Sequence, residues 1–182
     1  MTKQEIEKAL RRLGMLANRQ GIELKLFMVG GSALALGFNL RDSTRDVDAL
    51  ILEPSEHESV KAIIEKVGQE MHLRPNWLND DSRIYVTQVS DGPVIFKTTG
   101  LQARRASTAQ LLAMKLSASR DTQDDEDAKA LLKQMRKDHP EHTMAHVWDL
   151  ILPYIPYMTG LESQAKALLE VFWLREDYHD AN

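Results

Sequence analysis

Two carboxylates one residue apart, Asp46 and Asp48, are the side chains of this sequence best suited to chemistry. Both offer hard oxygen ligands, and Mg²⁺ (or Mn²⁺) is commonly held by one or two carboxylates together with substrate phosphates. They open an apolar run, Ala49 to Leu52, that reads as a strand. Alternation along that strand puts Asp46 and Asp48 on one face and Val47 in the core. Upstream, a second apolar run, Leu24 to Val29, ends in Gly30-Gly31-Ser32 before the helical-looking Ala33-Leu34-Ala35-Leu36. Glycines allow a sharp turn and close approach of a ligand. A helix opening at Ser32 presents main-chain N–H groups and a positive dipole end to a phosphate. The spacing predicts a nucleotide between the Gly-Ser turn and the carboxylates. In two-ion sites of this kind the ions sit roughly 3.5–4 Å apart and clamp the attacking and leaving oxygens.

Gly30-Gly31-Ser32, a spacer, and then Thr44-x-Asp46-x-Asp48 resembles the signature of the nucleotidyltransferase superfamily, the polymerase-beta-like fold. Further along, Leu111-Leu112-Ala113-Met114-Lys115-Leu116-x-Ala118-x-Arg120, an acidic turn and Asp127-x-x-x-Leu131-Leu132 are similar to the AbiEii-type nucleotidyltransferases, a group that includes toxins of toxin–antitoxin systems. Trp77-Leu78-Asn79-Asp80 resembles a tract of small uncharacterised members. The resemblance runs from Phe27 to about Leu132.

It implies an α/β (α+β) fold, with a mixed sheet flanked by helices and a helical C-terminal part packed on the core. It also implies a nucleoside triphosphate substrate, with Gly30, Gly31, Ser32, Thr44 and Lys115 at the nucleotide and Asp46 and Asp48 on the metal. Lys115 and Asp127, with Asp124 as the alternative, would complete the active site, and a lysine there acts as a point cation beside triphosphate charge. The acceptor implied is an RNA or tRNA end or a protein hydroxyl, and an antitoxin partner is compatible with it. Many superfamily members add a third carboxylate on a later strand. Asp80, Asp81 and Asp91 are the candidates beside Asp124, and none lies inside a predicted strand. Two further readings therefore stand beside the enzyme. One is a catalytically degenerate nucleotide-binding or regulatory module of the same fold. The other is an interaction protein that uses its helical C-terminal surface.

The elements that must position these residues are legible in outline. Ile6, Leu10, Leu13 and Ala17 recur at helical spacing and predict a first helix ending near Gly21. Ser55 and Glu58 form a capping-box pattern before a helix carrying Val60, Ile63, Ile64 and Val67, which ends around Gly68 to His72. Ile84-Tyr85-Val86 and Val94-Ile95-Phe96 read as strands around the turn residues Ser90 to Pro93, with a short strand near Leu101 to Ala103. From Ser107 the pattern turns helical. One helix is capped by Ser107 or Thr108, a second opens in the acidic Asp121–Asp127 stretch, a third spans Thr143 to Leu152 and a fourth Leu161 to Tyr178. The expected domains are an α/β core over 1–106 and a helical region over 107–182.

The 182 residues suit one domain with a helical appendage, and 43% hydrophobic content suffices for a sizeable core. A formal charge of -4 argues against a general nucleic-acid coat, while leaving room for a local basic groove. With no cysteine, disulfides, thiolate metal sites and a Cys nucleophile are excluded. The longest apolar stretch, Val147 to Met158, carries Asp149, Pro153 and Pro156, so no membrane association is expected and the chain reads as cytoplasmic. His139, His142 and His146 lie close together but lack a zinc-site pattern and read as surface or cap residues. Arg104, Arg105, Lys129, Lys133, Arg136 and Lys137 are candidates for an acceptor groove, though charged helix faces are usually just solvated.

Overall fold

A computed structural model of the chain describes residues 1–54, 58–119 and 122–179. It is a mixed α/β fold with one five-stranded sheet. Contacts divide it into two compact units, Met1–Arg83 with Asp91–Ala106, and Ile84–Ser90 with the chain from Ser107 onward. No helix among the described residues is long and apolar enough to cross a membrane.

The first unit holds the sheet. Helix α1 (Lys3–Arg19) starts at a capping box in which Thr2 and Glu5 satisfy each other's main-chain N–H groups. Its buried stripe is Ile6, Leu10, Leu13 and Ala17, as the spacing requires. Strand β1 (Leu24–Met28) leads into α2 (Gly30–Phe38). Strand β2 (Val47–Glu53), α3 (Glu58–Glu70), β3 (Leu78–Asn79), β4 (Val94–Thr98) and β5 (Leu101–Arg105) follow. The order across the sheet is β3-β2-β1-β5-β4. β1 runs antiparallel to β2 and parallel to β5, and β2 runs parallel to β3. Antiparallel pairing of neighbours has one direct consequence for the site. The turn that follows the end of β1 must lie beside the residues that begin β2.

The second unit is helical, with α4 (Thr108–Ala118), α5 (Thr122–Asp138), α6 (Met144–Ile151), a short 3-10 turn over Leu152–Tyr154, and α7 (Leu161–His179). Ser107 caps α4 by accepting from Gln110 N–H, and Thr143 caps α6.

Two expectations need correction. Ile84-Tyr85-Val86 is no strand: Ile84 and Tyr85 lie in a 3-10 turn (Asp81–Tyr85), and Ile84 is 71% exposed. The hairpin is formed by β4 and β5 instead, across the Thr99-Gly100 turn. Contacts also group Ile84–Ser90 with the helices rather than with the sheet. The reason is the fully buried Gln110, whose amide accepts from Ser90 N–H at 3.1 Å and donates to the Gln88 carbonyl at 2.6 Å. A buried side-chain amide must find partners, and these two main-chain groups supply them. The expected Ser55 cap falls outside the described residues.

Candidate active site

The first unit brings Gly30, Gly31, Ser32, Thr44, Asp46 and Asp48 to one end of the sheet. Asp46 immediately precedes β2, Val47 is fully buried, and Asp46 and Asp48 are both half-buried. Asp48 is fixed from both sides along the strand. Its carbonyl accepts from Val29 N–H at 3.0 Å, and its register partner in β3 is Asn79. The Asp48 carboxylate oxygen Oδ1 accepts from the Ser82 hydroxyl at 3.0 Å, a contact that sets the carboxylate's rotation.

The glycines are required by what faces them. Gly30 sits at φ +59°, the left-handed region, and a side chain there would collide with the Asp48 carboxylate. A Cβ on Gly31 would lie 2.7 Å from Thr44 Oγ1 and 3.0 Å from Arg41 Nη1. The turn is thus pressed between Asp48 on one side and Thr44 with Arg41 on the other. Ser32 is fully buried, and its hydroxyl donates to the Val29 carbonyl at 3.1 Å. Its main-chain N–H lies in the first turn of α2 and has no carbonyl partner inside the helix.

The residue types suit a hard divalent ion: Asp46 and Asp48 are two half-buried carboxylates at the start of β2, and the second, oriented by a hydroxyl, faces the Gly30 turn. The remaining coordination positions are those that water and phosphate oxygens fill in Mg²⁺ sites. The further carboxylates are disposed differently. Asp80 and Asp81 are exposed on either side of the start of the 3-10 turn, and Asp91 is exposed and pairs with Arg104. No acidic side chain occurs in β4 or β5.

Sequence reasoning missed Ser82, Asn79 and Arg41. The Trp77-Leu78-Asn79-Asp80 tract was the available signal for the first two. Trp77 is fully buried with Nε1 donating to the Ile64 carbonyl at 3.0 Å, and its own carbonyl accepts from Val47 N–H at 2.6 Å. That tract is what anchors the start of β2.

In the second unit, Lys115 on α4 meets both candidate aspartates of α5. Its Nζ lies 2.6 Å from Asp124 Oδ1 and 2.8 Å from Asp127 Oδ2. The three side chains are 11%, 5% and 3% exposed. Asp124 also lies in the first turn of α5, where the helix dipole favours a carboxylate. Removing the lysine would break both of these short, nearly buried ion pairs, and breaking a buried pair costs about 3–5 kcal/mol. A phosphate reaching Lys115 would have to compete with both carboxylates. The arrangement therefore ties α4 to α5 whatever else it does.

The other sequence candidates are distributed as follows. His146 caps α6 together with Thr143. His139, Glu141 and His142 place possible ligand atoms within 4.8 Å of one another. The His139 and His142 rings, however, stack at 13°, so their in-plane lone pairs run side by side rather than converging on one point. In the first unit Arg105 stacks on Phe38 at 3.9 Å. In the second, Lys129 lies 5.0 Å over Phe172 and Arg136 4.5 Å over Trp173. These three cations cover aromatic surface, a packing use of the long side chain.

Comparison with known proteins gives no match: no family model fits the chain, and no curated protein or solved structure is significantly similar.

Proposed function

We propose that the chain is a metal-dependent nucleotidyltransferase, moving a nucleotide from a nucleoside triphosphate to an RNA, tRNA or protein hydroxyl. The observation that supports it most is the fit between Gly30 and Asp48: a left-handed glycine turn opening a helix, closed against a carboxylate that begins the neighbouring strand. Asp46 and Asp48 would hold Mg²⁺, which when bound neutralises phosphate charge and orients the triphosphate. Gly30, Gly31 and Ser32 would receive the phosphate oxygens on main-chain N–H groups, beside the Thr44 hydroxyl. In the reaction the acceptor oxygen bonds to the α-phosphorus, and pyrophosphate leaves with the electron pair of the broken P–O bond. The hydroxyl proton passes to a carboxylate or to solvent. The chain's share of the catalysis is positioning and electrostatics. The resemblance also implies a role for Lys115, whose ammonium Asp124 and Asp127 hold within the second unit. A toxin role rests on the resemblance alone, and growth arrest on expression tests it.

The absence of a carboxylate from β4 and β5 favours a second reading, a degenerate module that binds nucleotide without turnover. Both readings need the metal–nucleotide site. Calorimetric titration of the chain with nucleoside triphosphate, with and without Mg²⁺, tests it beside Asp46→Asn/Asp48→Asn. Mg²⁺-dependent binding that disappears in the variant is expected. Binding that is equal in the two proteins would overturn the site.

A further inference from the structure

The first unit carries a second feature, which shares Arg41 and Thr44 with the nucleotide turn. A cleft of about 480 Å³ is lined by Arg41, Ser43, Thr44, Arg45, His72 and Arg74, together with parts of α1 and Trp77. Its one acid, Glu5, is turned into the capping box of α1. His72 also lines a neighbouring cleft of about 530 Å³ with Lys8, Arg11 and Arg12, whose acid, Glu70, is paired with Arg12 at 2.7 Å. Six lysines and arginines of a chain with a formal charge of -4 thus line two clefts that share one residue.

The shared residue has an unusual backbone. The end of α3 is a Schellman motif: Leu73 N–H donates to Gly68 O at 2.8 Å and His72 N–H to Gln69 O at 3.3 Å. The left-handed position of that motif, where glycine is usual, is occupied by His72 at φ +53°. A non-glycine residue in this region costs free energy, and such residues cluster at functional sites. The first cleft also adjoins the nucleotide turn, because Arg41 and Thr44 are the two residues that close on Gly31.

We propose that these two clefts form a track for the phosphodiester backbone of a single-stranded nucleic acid, with His72 at the junction. The inference rests on the nucleotidyltransferase reading and deepens it, choosing nucleic acid over protein as the acceptor. One cleft alone would suit a single phosphate group. Two basic clefts joined through one side chain suit successive phosphates, and a strand bound there would lead toward the Gly31–Thr44 turn. Recognition of this type is electrostatic, independent of base sequence and steeply dependent on salt.

The test is fluorescence anisotropy of a short labelled oligouridylate across a salt series, using the full chain. The parent, Arg45→Gln/Arg74→Gln, His72→Gly and Asp46→Asn/Asp48→Asn are compared, and Mg²⁺–nucleotide binding is measured in parallel. The parent is expected to bind the strand. The double arginine variant should weaken binding about tenfold and flatten the log–log salt slope by about 1.4, two phosphate contacts at about 0.7 each. His72→Gly should weaken strand binding with a melting temperature no lower than the parent's, which separates the side chain's role from folding. The aspartate variant should keep strand binding, so failure of the metal site and failure of the track are read separately. No strand binding by the parent at low salt would overturn the proposal, as would unchanged binding and slope in the arginine variant. A loss confined to nucleotide binding would assign the cleft to the triphosphate and overturn it too.

Discussion

Gly30 carries two demands at once. Its φ of +59° excludes side chains without strain, and the Asp48 carboxylate occupies the volume a Cβ would need. An L-residue in the left-handed region costs about 1–2 kcal/mol before any collision is counted. Gly30→Ala is therefore expected to lower stability by at least that amount and to abolish Mg²⁺-dependent nucleotide binding, since Asp48 must rotate away from Ser82 to make room. Denaturant unfolding combined with nucleotide titration checks both effects. A variant that unfolds and binds like the parent would show that the turn and the carboxylate are not one site. Lys115 stands in contrast. The resemblance picked out Lys115, Asp124 and Asp127, yet nothing in the sequence announces that the lysine is nearly buried between both acids. A charged residue in an ordinary-looking helix carries no local mark of its burial, because the partner that permits it comes from another element.

At the scale of elements, the parts legible from sequence are those whose signal is local. α1 shows its stripe, β1 and β2 are mostly apolar runs, and Ser107 and Thr143 begin helices where capping residues should. The misreading at Ile84–Val86 has a different origin. Three β-forming residues have no strand partner there, and the adjoining main chain of Gln88 and Ser90 is held by Gln110 from the start of α4. β3 was missed because two residues carry no periodicity, and it exists only as a partner for Val47 and Asp48. The same principle governs Gly14, in the middle of α1. Helix propensity alone says that alanine there should stabilise by about 1 kcal/mol. The structure says otherwise, because a Cβ would lie 2.7 Å from Thr98 Cγ2 and 2.9 Å from the Thr99 carbonyl. Gly14→Ala is expected to destabilise by about 1–3 kcal/mol through this overpacking against the β4–β5 turn. A raised thermal midpoint would contradict the packing assigned to α1.

For the whole molecule, net charge is a poor guide to what the chain binds. The formal charge of -4 conceals a cleft of the first unit lined by Arg41, Arg45 and Arg74, a placement that the fold creates and composition does not record. The division into two units likewise follows tertiary contacts, since Ile84–Ser90 belongs by sequence to one unit and by packing to the other. What the sequence did carry was the pairing of Gly30-Gly31-Ser32 with Asp46-x-Asp48, whose juxtaposition follows from one antiparallel strand pair. The central claim is that this juxtaposition performs nucleotidyl transfer. Its most direct test is incubation of the chain with each α-labelled nucleoside triphosphate, Mg²⁺ and total cellular RNA and protein, beside Asp46→Ala/Asp48→Ala. The account predicts label in the RNA fraction that requires Mg²⁺ and is lost in the variant. Label that persists at the same level in a folded variant would contradict it.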